Sequence, residues 1–212
     1  MEDIADKTLV MIVGPAAVGK SSLMHAVVRQ DPRFAYVRSF TTRPDRGDGV
    51  STYQHITEEM ALSLQASGAA LTLIRHPTTG HAYGTTPESY PARFNLLDTL
   101  SGSVGLYRRL PFGRTVTVSL TADPDDWQRW LLGRYPQPGE ERTKRLREAV
   151  SSIRWSLDQT DGHHWLVNVP DGLDDTAGHL IRLAKKPETG PEPAPPEAVR
   201  MLALAESLLS YG

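Results

Sequence analysis

Eight residues near the start of the chain, Gly14-Pro-Ala-Ala-Val-Gly19-Lys20-Ser21, restrict the fold more than any other stretch. They have the spacing of a phosphate-binding loop. They also sit between a short β-rich apolar run, Thr8 to Val13, and a helical pattern that turns Leu23, Val27 and Val28 inward. Strand, tight loop and helix in that order set successive backbone N–H groups at a helix N-terminus, where they form a nest for an anion. The glycines let the backbone approach phosphate oxygens, Lys20 neutralises charge, and the Ser21 hydroxyl suits Mg2+. Gly14, Ala17, Val18, Gly19, Lys20, Ser21 and Ser22 are therefore the candidate nucleotide-binding residues. Ala17 is the irregular member, because a Cβ resists positive φ if the loop demands it there.

The first helix should stop near Asp31-Pro32, with a second strand over Tyr36 to Phe40. Residues 41 to 52 are polar and turn-rich. A helix through Glu58 to Ala66 ends at Gly68, Ala70 to Ile74 reads as a strand, and Pro77-Thr-Thr-Gly80 as a turn. Two further strands are expected, one running through Asn95-Leu96-Leu97 to Asp98 and one over Thr115 to Leu120. Asp123 with Pro124 starts a helix that carries Trp127, Trp130 and Leu131 on one stripe before Gly133. Another runs from about Glu140 to Gln159 with Leu146, Val150, Ile153 and Leu157 on one face. Trp165 to Val169 is the last strand, followed by a helix through Ala177 to Ala184. Strands alternating with helices predict an α/β fold with a mainly parallel sheet.

Composition limits what such a chain does. At 212 residues, 39% hydrophobic and 23% charged, it can bury a substantial core. A formal charge of -2 gives no general attraction for nucleic acid or an anionic membrane, so basic function must be local. The chain has no cysteine, which removes disulfides and thiolate chemistry; with no signal-like start and no long apolar run, it reads as a cytoplasmic protein. Residues 187 to 196 hold five prolines and read as a linker. Beyond it, residues 197 to 212 contain Val199, Leu202, Leu204, Leu208 and Leu209, a short amphipathic helix that can dock on its own domain or self-associate with another copy.

A second anion site is written into Ser39-Phe-Thr-Thr-Arg43-Pro-Asp-Arg46, where two guanidinium groups stand three residues apart beside hydroxyls. Guanidinium forks match phosphate oxygens bidentately, although two solvated surface arginines would carry the same letters. Tyr53 and Tyr83-Gly84-Thr85 add phenol and hydroxyl donors.

Taken together, Gly-Pro-x-x-Val-Gly-Lys-Ser at 14 to 21, Ser-x-Thr-Thr-Arg-Pro-x-Arg at 39 to 46, Tyr53, Tyr-Gly-Thr at 83 to 85, and Gly133-Arg134 followed by Arg145-Leu146 resemble the guanylate kinase family over about residues 9 to 184. The resemblance implies a P-loop kinase domain over 1 to 186, a three-layer α/β/α core with a parallel sheet. It adds a small acceptor-binding subdomain at about 36 to 92 and a helical lid at about 127 to 147. It implies ATP and Mg2+ as cofactors and a small nucleoside monophosphate as the phosphate acceptor. Lys20, Arg43, Arg134 and Arg145 become the implied catalytic residues. Ser39, Arg43, Arg46, Tyr53, Tyr83, Thr85 and Asp98 become the acceptor side, and Asn168 the adenine-side strand end.

The likeness breaks with most consequence at the base-reading position. The family reads guanine partly with a glutamate nine residues before the tyrosine of Tyr-Gly-Thr, and this chain has Ile74 there. A buried N–H left without an acceptor costs about 1 to 3 kcal/mol. A ribose 1,5-bisphosphate kinase and a non-catalytic binding module of the same fold thus stand as alternatives. Trp130 also stands where the family's lid helix usually carries another arginine. Adjacent His163 and His164 lack further ligands at metal spacing and read as surface or capping residues. Trp127, Trp130, Trp155 and Trp165 read as packing residues.

Overall fold

The computed structural model describes residues 4–45, 53–75, 79–160, 162–186 and 193–210. Five strands, β1 (Thr8–Val13), β2 (Phe34–Tyr36), β7 (Phe94–Asp98), β8 (Arg114–Ala122) and β9 (His163–Asn168), form one sheet in the order β2-β7-β1-β8-β9. Every pairing in it is parallel, as the alternation of strands and helices predicted. The chain runs from central β1 to one edge and later crosses to the other side. The carboxyl ends of β1, β7, β8 and β9 therefore gather at a switch in strand order, where open α/β sheets hold ligands.

The two-residue period of β1 divides the interior. Val10 and Ile12 bury in one core with Leu23, Met24 and Val27 of α1 (Lys20–Gln30) and Ala177, Leu180 and Leu183 of α6 (Leu173–Lys185). Leu9, Met11 and Val13 bury in a second core with Val104 and Tyr107 of α3 (Val104–Tyr107). Buried on both faces, β1 reads as an unbroken apolar run. The larger core continues under Trp127 and Leu131 of α4 (Pro124–Arg134) and Leu146, Ala149 and Ile153 of α5 (Glu140–Leu157). Asp123 caps α4 as expected, its carboxylate accepting from Asp125 N–H at 3.0 Å.

A second sheet carries β4 (Gln54–His55), β3 (Phe40–Thr41), β6 (Ala82–Thr85) and β5 (Thr72–Arg75) in that order, beside α2 (Glu58–Ala66). Its register sets Ile74 opposite Tyr83, and Tyr83 opposite Thr41. The stretch expected as one strand over Tyr36 to Phe40 is divided: β2 ends at Tyr36 in the large sheet and β3 begins at Phe40 in the small one. The last helix, α7 (Pro196–Ser210), starts one residue inside the expected linker, and residues 187–192 of that linker lie outside the described residues.

α7 packs on its own chain. Ala198, Met201 and Ala205 bury on one face, and Met201 Sδ accepts the N–H of Ala122 at 3.2 Å, at the end of β8. Leu202, Leu204, Leu208 and Leu209 are half-covered, whereas Val199, expected on the docking stripe, is exposed. Arg154 and Glu206 pair at 2.6 Å across the α5 contact. No described helix is long and apolar enough to cross a membrane.

The paired histidines correct their expectation. His163 and His164 are both buried, because β9 is an edge strand of the sheet covered on both faces. His163 Nε2 meets Ser119 Oγ at 2.9 Å, and the rings of Trp155 and Trp165 lie edge-on to it. Burial lowers its pKa to about 4, with Arg108 adding to the effect, so the ring is neutral at pH 7.

Candidate active site

The phosphate loop holds its shape by turning its carbonyls toward the protein. Trp127 Nε1 donates to Ala16 O at 2.9 Å and Asn168 Nδ2 to Val18 O at 3.0 Å. Lys20 Nζ donates to Gly14 O at 2.8 Å and Pro15 O at 3.1 Å. The first amides of α1 have no helical acceptor, and residues 14 to 22 line a cleft of about 950 Å³. Ala17 does adopt the left-handed conformation, φ 64, as the loop pattern foreshadowed. Such a conformation costs an alanine roughly 1 to 2 kcal/mol.

Gly19 caps α1 at φ 98, and a Cβ placed there falls 2.4 Å from Asn168 Nδ2. Gly19→Ala is therefore expected to displace Asn168 from Val18 O, lower stability by about 2 to 3 kcal/mol and abolish nucleotide binding, read by thermal unfolding and calorimetric ATP titration. Asn168 itself does not line the cleft; it holds the loop.

Asp98 ends β7, with Oδ1 3.8 Å from Lys20 Nζ. Its side chain opens to the cleft, yet surrounding protein desolvates it and raises its pKa, against the opposing pull of Lys20 and then Arg134. A carboxyl raised in this way binds its proton more tightly in the folded chain than in the unfolded one. Acid thus favours the fold at this site, and the ionised form costs stability once pH exceeds the ordinary aspartate value. Because the side chain is 44% exposed, solvent screens much of that cost. Asp98→Asn is expected to raise the melting temperature at pH 7 by about 1 to 2 °C and to leave it unchanged near pH 3, as followed by circular dichroism.

A second cavity of about 370 Å³ adjoins the first and shares Ser21, Asp98, Thr99 and Leu100 with it. Ser39 and Tyr53 line it, together with His25 and Tyr36, whose rings meet edge-on at 5.4 Å. Tyr53 packs edge-on to Tyr83 at 5.7 Å, and the Arg43 guanidinium lies 5.7 Å from the Tyr53 ring centre. Arg43 Nε is buried with no hydrogen-bond partner among the described residues. Its backbone is pinned on both sides: its N–H donates to Thr41 Oγ1 at 3.1 Å, and its carbonyl meets His55 Nδ1 at 2.7 Å. Burial raises the pKa of the Tyr53 phenol, so it remains a donor.

Not every expected residue reaches the cavities: Arg43 and Tyr83 line neither wall and contact Tyr53 instead. Thr85 is fully buried, its hydroxyl paired with Thr72 Oγ1 at 2.8 Å and accepting from the Tyr90 phenol at 2.9 Å. Arg46 lies outside the described residues. Arg134, the last residue of α4, and Arg145 of α5 both line the larger cleft, as do Ile74 and Trp130. Three contributors have no role in the sequence pattern: Trp127 as a loop support, Tyr135 with the Arg134 and Arg145 guanidiniums each 5.8 Å from its ring centre, and His25. Only His25 leaves a signal, four residues after Ser21 on the same helical face.

The chain is 31% identical over 159 residues to a guanylate kinase from Alkalilimnicola ehrlichii, covering 69% of this chain and 74% of that protein. The chain belongs to the guanylate kinase family. A guanylate kinase from Cutibacterium acnes is 28% identical over 184 residues, covering 83% of this chain and 89% of that one. A ribose 1,5-bisphosphate phosphokinase from a Ruegeria species is 30% identical over 155 residues, covering 71% and 80%. Among solved structures, a guanylate kinase from Anaplasma phagocytophilum shares the fold with a TM-score of 0.55 at 17% identity, over 85% of this chain and 87% of that one. No protein-family model matches the sequence.

Among the described residues no three His, Asp or Glu side chains cluster to hold a metal. The Ser21 hydroxyl and the Asp98 carboxylate both stand on the shared wall of the two cavities, and one or two such oxygens beside substrate phosphates are what a Mg2+ ion would need there.

Proposed function

We propose that the protein transfers the γ-phosphoryl group of ATP to the phosphate of a small acceptor, a nucleoside monophosphate, with GMP the first to test. The observation that carries this reading is the shared wall of the two cavities: Ser21 and Asp98 belong to both, so phosphates held in the two would meet beside Lys20. Phosphoryl transfer asks the protein for positioning and charge neutralisation more than for covalent chemistry.

In this reading the loop amides and Lys20 hold the ATP phosphates, with Lys20 leaving the carbonyls of Gly14 and Pro15 to do so. Ser39, Arg43, Tyr53 and Tyr83 hold the acceptor phosphate in line with the γ-phosphorus, with Arg46 a further candidate. Arg134 and Arg145 reach the transferring group from the lid, about residues 127 to 147. The acceptor oxygen forms its bond to the γ-phosphorus as the bond to the β–γ bridging oxygen breaks, leaving ADP. Bound Mg2+ would neutralise charge on the phosphates, and Ser21 and Asp98 are the residues to hold it and its waters. Lid closure expels water that would otherwise accept the phosphoryl group.

A second reading is favoured by Ile74, which lines the cleft in place of a carboxylate. A sugar bisphosphate, the acceptor class named for the Ruegeria relative, needs no partner for base N–H groups at that position. ADP release from Mg-ATP over GMP, dGMP, AMP, UMP, CMP and ribose 1,5-bisphosphate separates the two. Stimulation by a nucleotide supports the first reading, stimulation by the sugar bisphosphate alone replaces it with the second, and stimulation by none with ATP still bound makes the chain a binding module.

A further inference from the structure

Tyr135 follows the last residue of α4 and closes that helix, its N–H donating to Leu131 O at 2.8 Å. Its ring lines the larger cleft and carries two cations: the guanidinium carbons of Arg134 and Arg145 each lie 5.8 Å from the ring centre. A guanidinium within about 6 Å of an aromatic centre is attracted by the ring quadrupole. Two like charges on one ring repel each other, and the structure offsets this at Arg145, which pairs with Glu141 and Glu148 at 2.9 Å each. Arg134 is exposed and has no ion pair among the described residues, so the ring is its fixed contact. Nothing in the sequence pattern required an aromatic residue between Gly133-Arg134 and the Pro136-Gln-Pro138-Gly139 turn.

We propose that Tyr135 is a positioning residue that holds both lid guanidiniums as a pair at the mouth of the phosphate cleft. The proposal rests on the kinase reading for its catalytic consequence, but the geometry it describes exists without substrate. Long arginine side chains lose much rotamer freedom when they engage phosphate, and a ring that restricts them beforehand removes part of that cost from the transition state. Glu141 and Glu148 hold Arg145 until a phosphate competes for it, so the pair engages only when the cleft is filled.

The test has one arm that needs no turnover. In ligand-free protein labelled with nitrogen-15 arginine, the side-chain resonances of Arg134 and Arg145 are expected to show ring-current shifts. Tyr135→Phe keeps them and Tyr135→Leu removes both, while those of Arg154 and Arg200, paired elsewhere, stay in place. Unchanged Arg134 and Arg145 resonances in Tyr135→Leu overturn the proposal whether or not the protein is a kinase.

The kinetic arm uses the best acceptor of the panel. Tyr135→Leu should lower kcat about ten-fold with KM for ATP within about two-fold, and Tyr135→Phe should restore it. In an Arg145→Ala background the same leucine substitution should cost much less than in the wild type. A Tyr135→Leu enzyme with wild-type kcat overturns the proposal. A wild type inactive toward every acceptor contradicts the kinase reading alone and leaves the resonance result to decide.

Discussion

Replacing Lys20 with alanine is expected to lower kcat/KM for phosphoryl transfer by about 10³-fold while leaving the protein folded. The ammonium is the only protein cation placed among the carbonyls of Gly14 and Pro15 and the carboxylate of Asp98 by the described contacts, within 3.8 Å of all three. In the proposed reaction it would supply positive charge where a transferring phosphoryl group spreads negative charge over its oxygens. The fold does not need it. The two carbonyls it bonds line an open cleft and find water instead, so the loss of stability should stay below about 1 kcal/mol. Removing the cation also leaves Asp98 with less to oppose desolvation, and its pKa should rise further, away from the ordinary aspartate value. Steady-state kinetics beside a thermal melt checks both halves; unfolding of the variant, or near-normal transfer by it, contradicts this role for Lys20.

Arg43→Ala should act on the other substrate. The Arg43 guanidinium stands over Tyr53, and Tyr53 lines the smaller cavity, whereas Arg43 lines neither cavity wall and touches no phosphate-loop residue in the described contacts. A charge-assisted hydrogen bond to phosphate contributes about 1.5 to 3 kcal/mol, so KM for the acceptor should rise about 10- to 100-fold, with KM for ATP within about three-fold. Arg43→Lys should recover only part of this, because an ammonium cannot form the two parallel bonds of a guanidinium fork. Initial rates with each substrate varied in turn separate the effects, and an equal rise in both KM values contradicts a two-site arrangement.

Much of this arrangement is legible in the sequence. The apolar run Thr8 to Val13, the glycines of the loop and the Asp123-Pro124 cap are local signals, and the elements they predict appear with boundaries moved by a residue or two. Helix α2 matches its expected span, with Gly68 at φ 69 just beyond it. What is not legible depends on distant contacts. Nothing local says that the Trp127 indole donates to Ala16 O, 111 residues away in the chain. β3 and β4 are two residues each and exist through their partners, so periodicity over four or more residues misses them.

Where sequence and structure disagree, packing is the cause. His163 and His164, without further ligands at metal spacing, read as surface or capping residues, but their strand lies beside β8 in a sheet covered on both faces, which buries both. On α7 the leucines dominate the sequence pattern, whereas the row that buries fully is Ala198, Met201 and Ala205, two small side chains on either side of one long, flexible one. The two alanines let that helix approach and Met201 fills the space at the end of β8, while the leucines at its flanks are only half-covered.

That two anion sites join on the Ser21 and Asp98 wall is tested most directly by calorimetric titration with adenosine polyphosphates of three, four and five phosphates. These probes keep one base and lengthen only the chain that would cross from Lys20 toward Arg43, so the unknown acceptor base drops out of the comparison. Affinity should rise with each added phosphate, and Arg43→Ala should erase the rise while leaving the triphosphate bound as before. Equal affinity for all three lengths, or a loss of triphosphate binding in Arg43→Ala as large as that of the pentaphosphate, would contradict it.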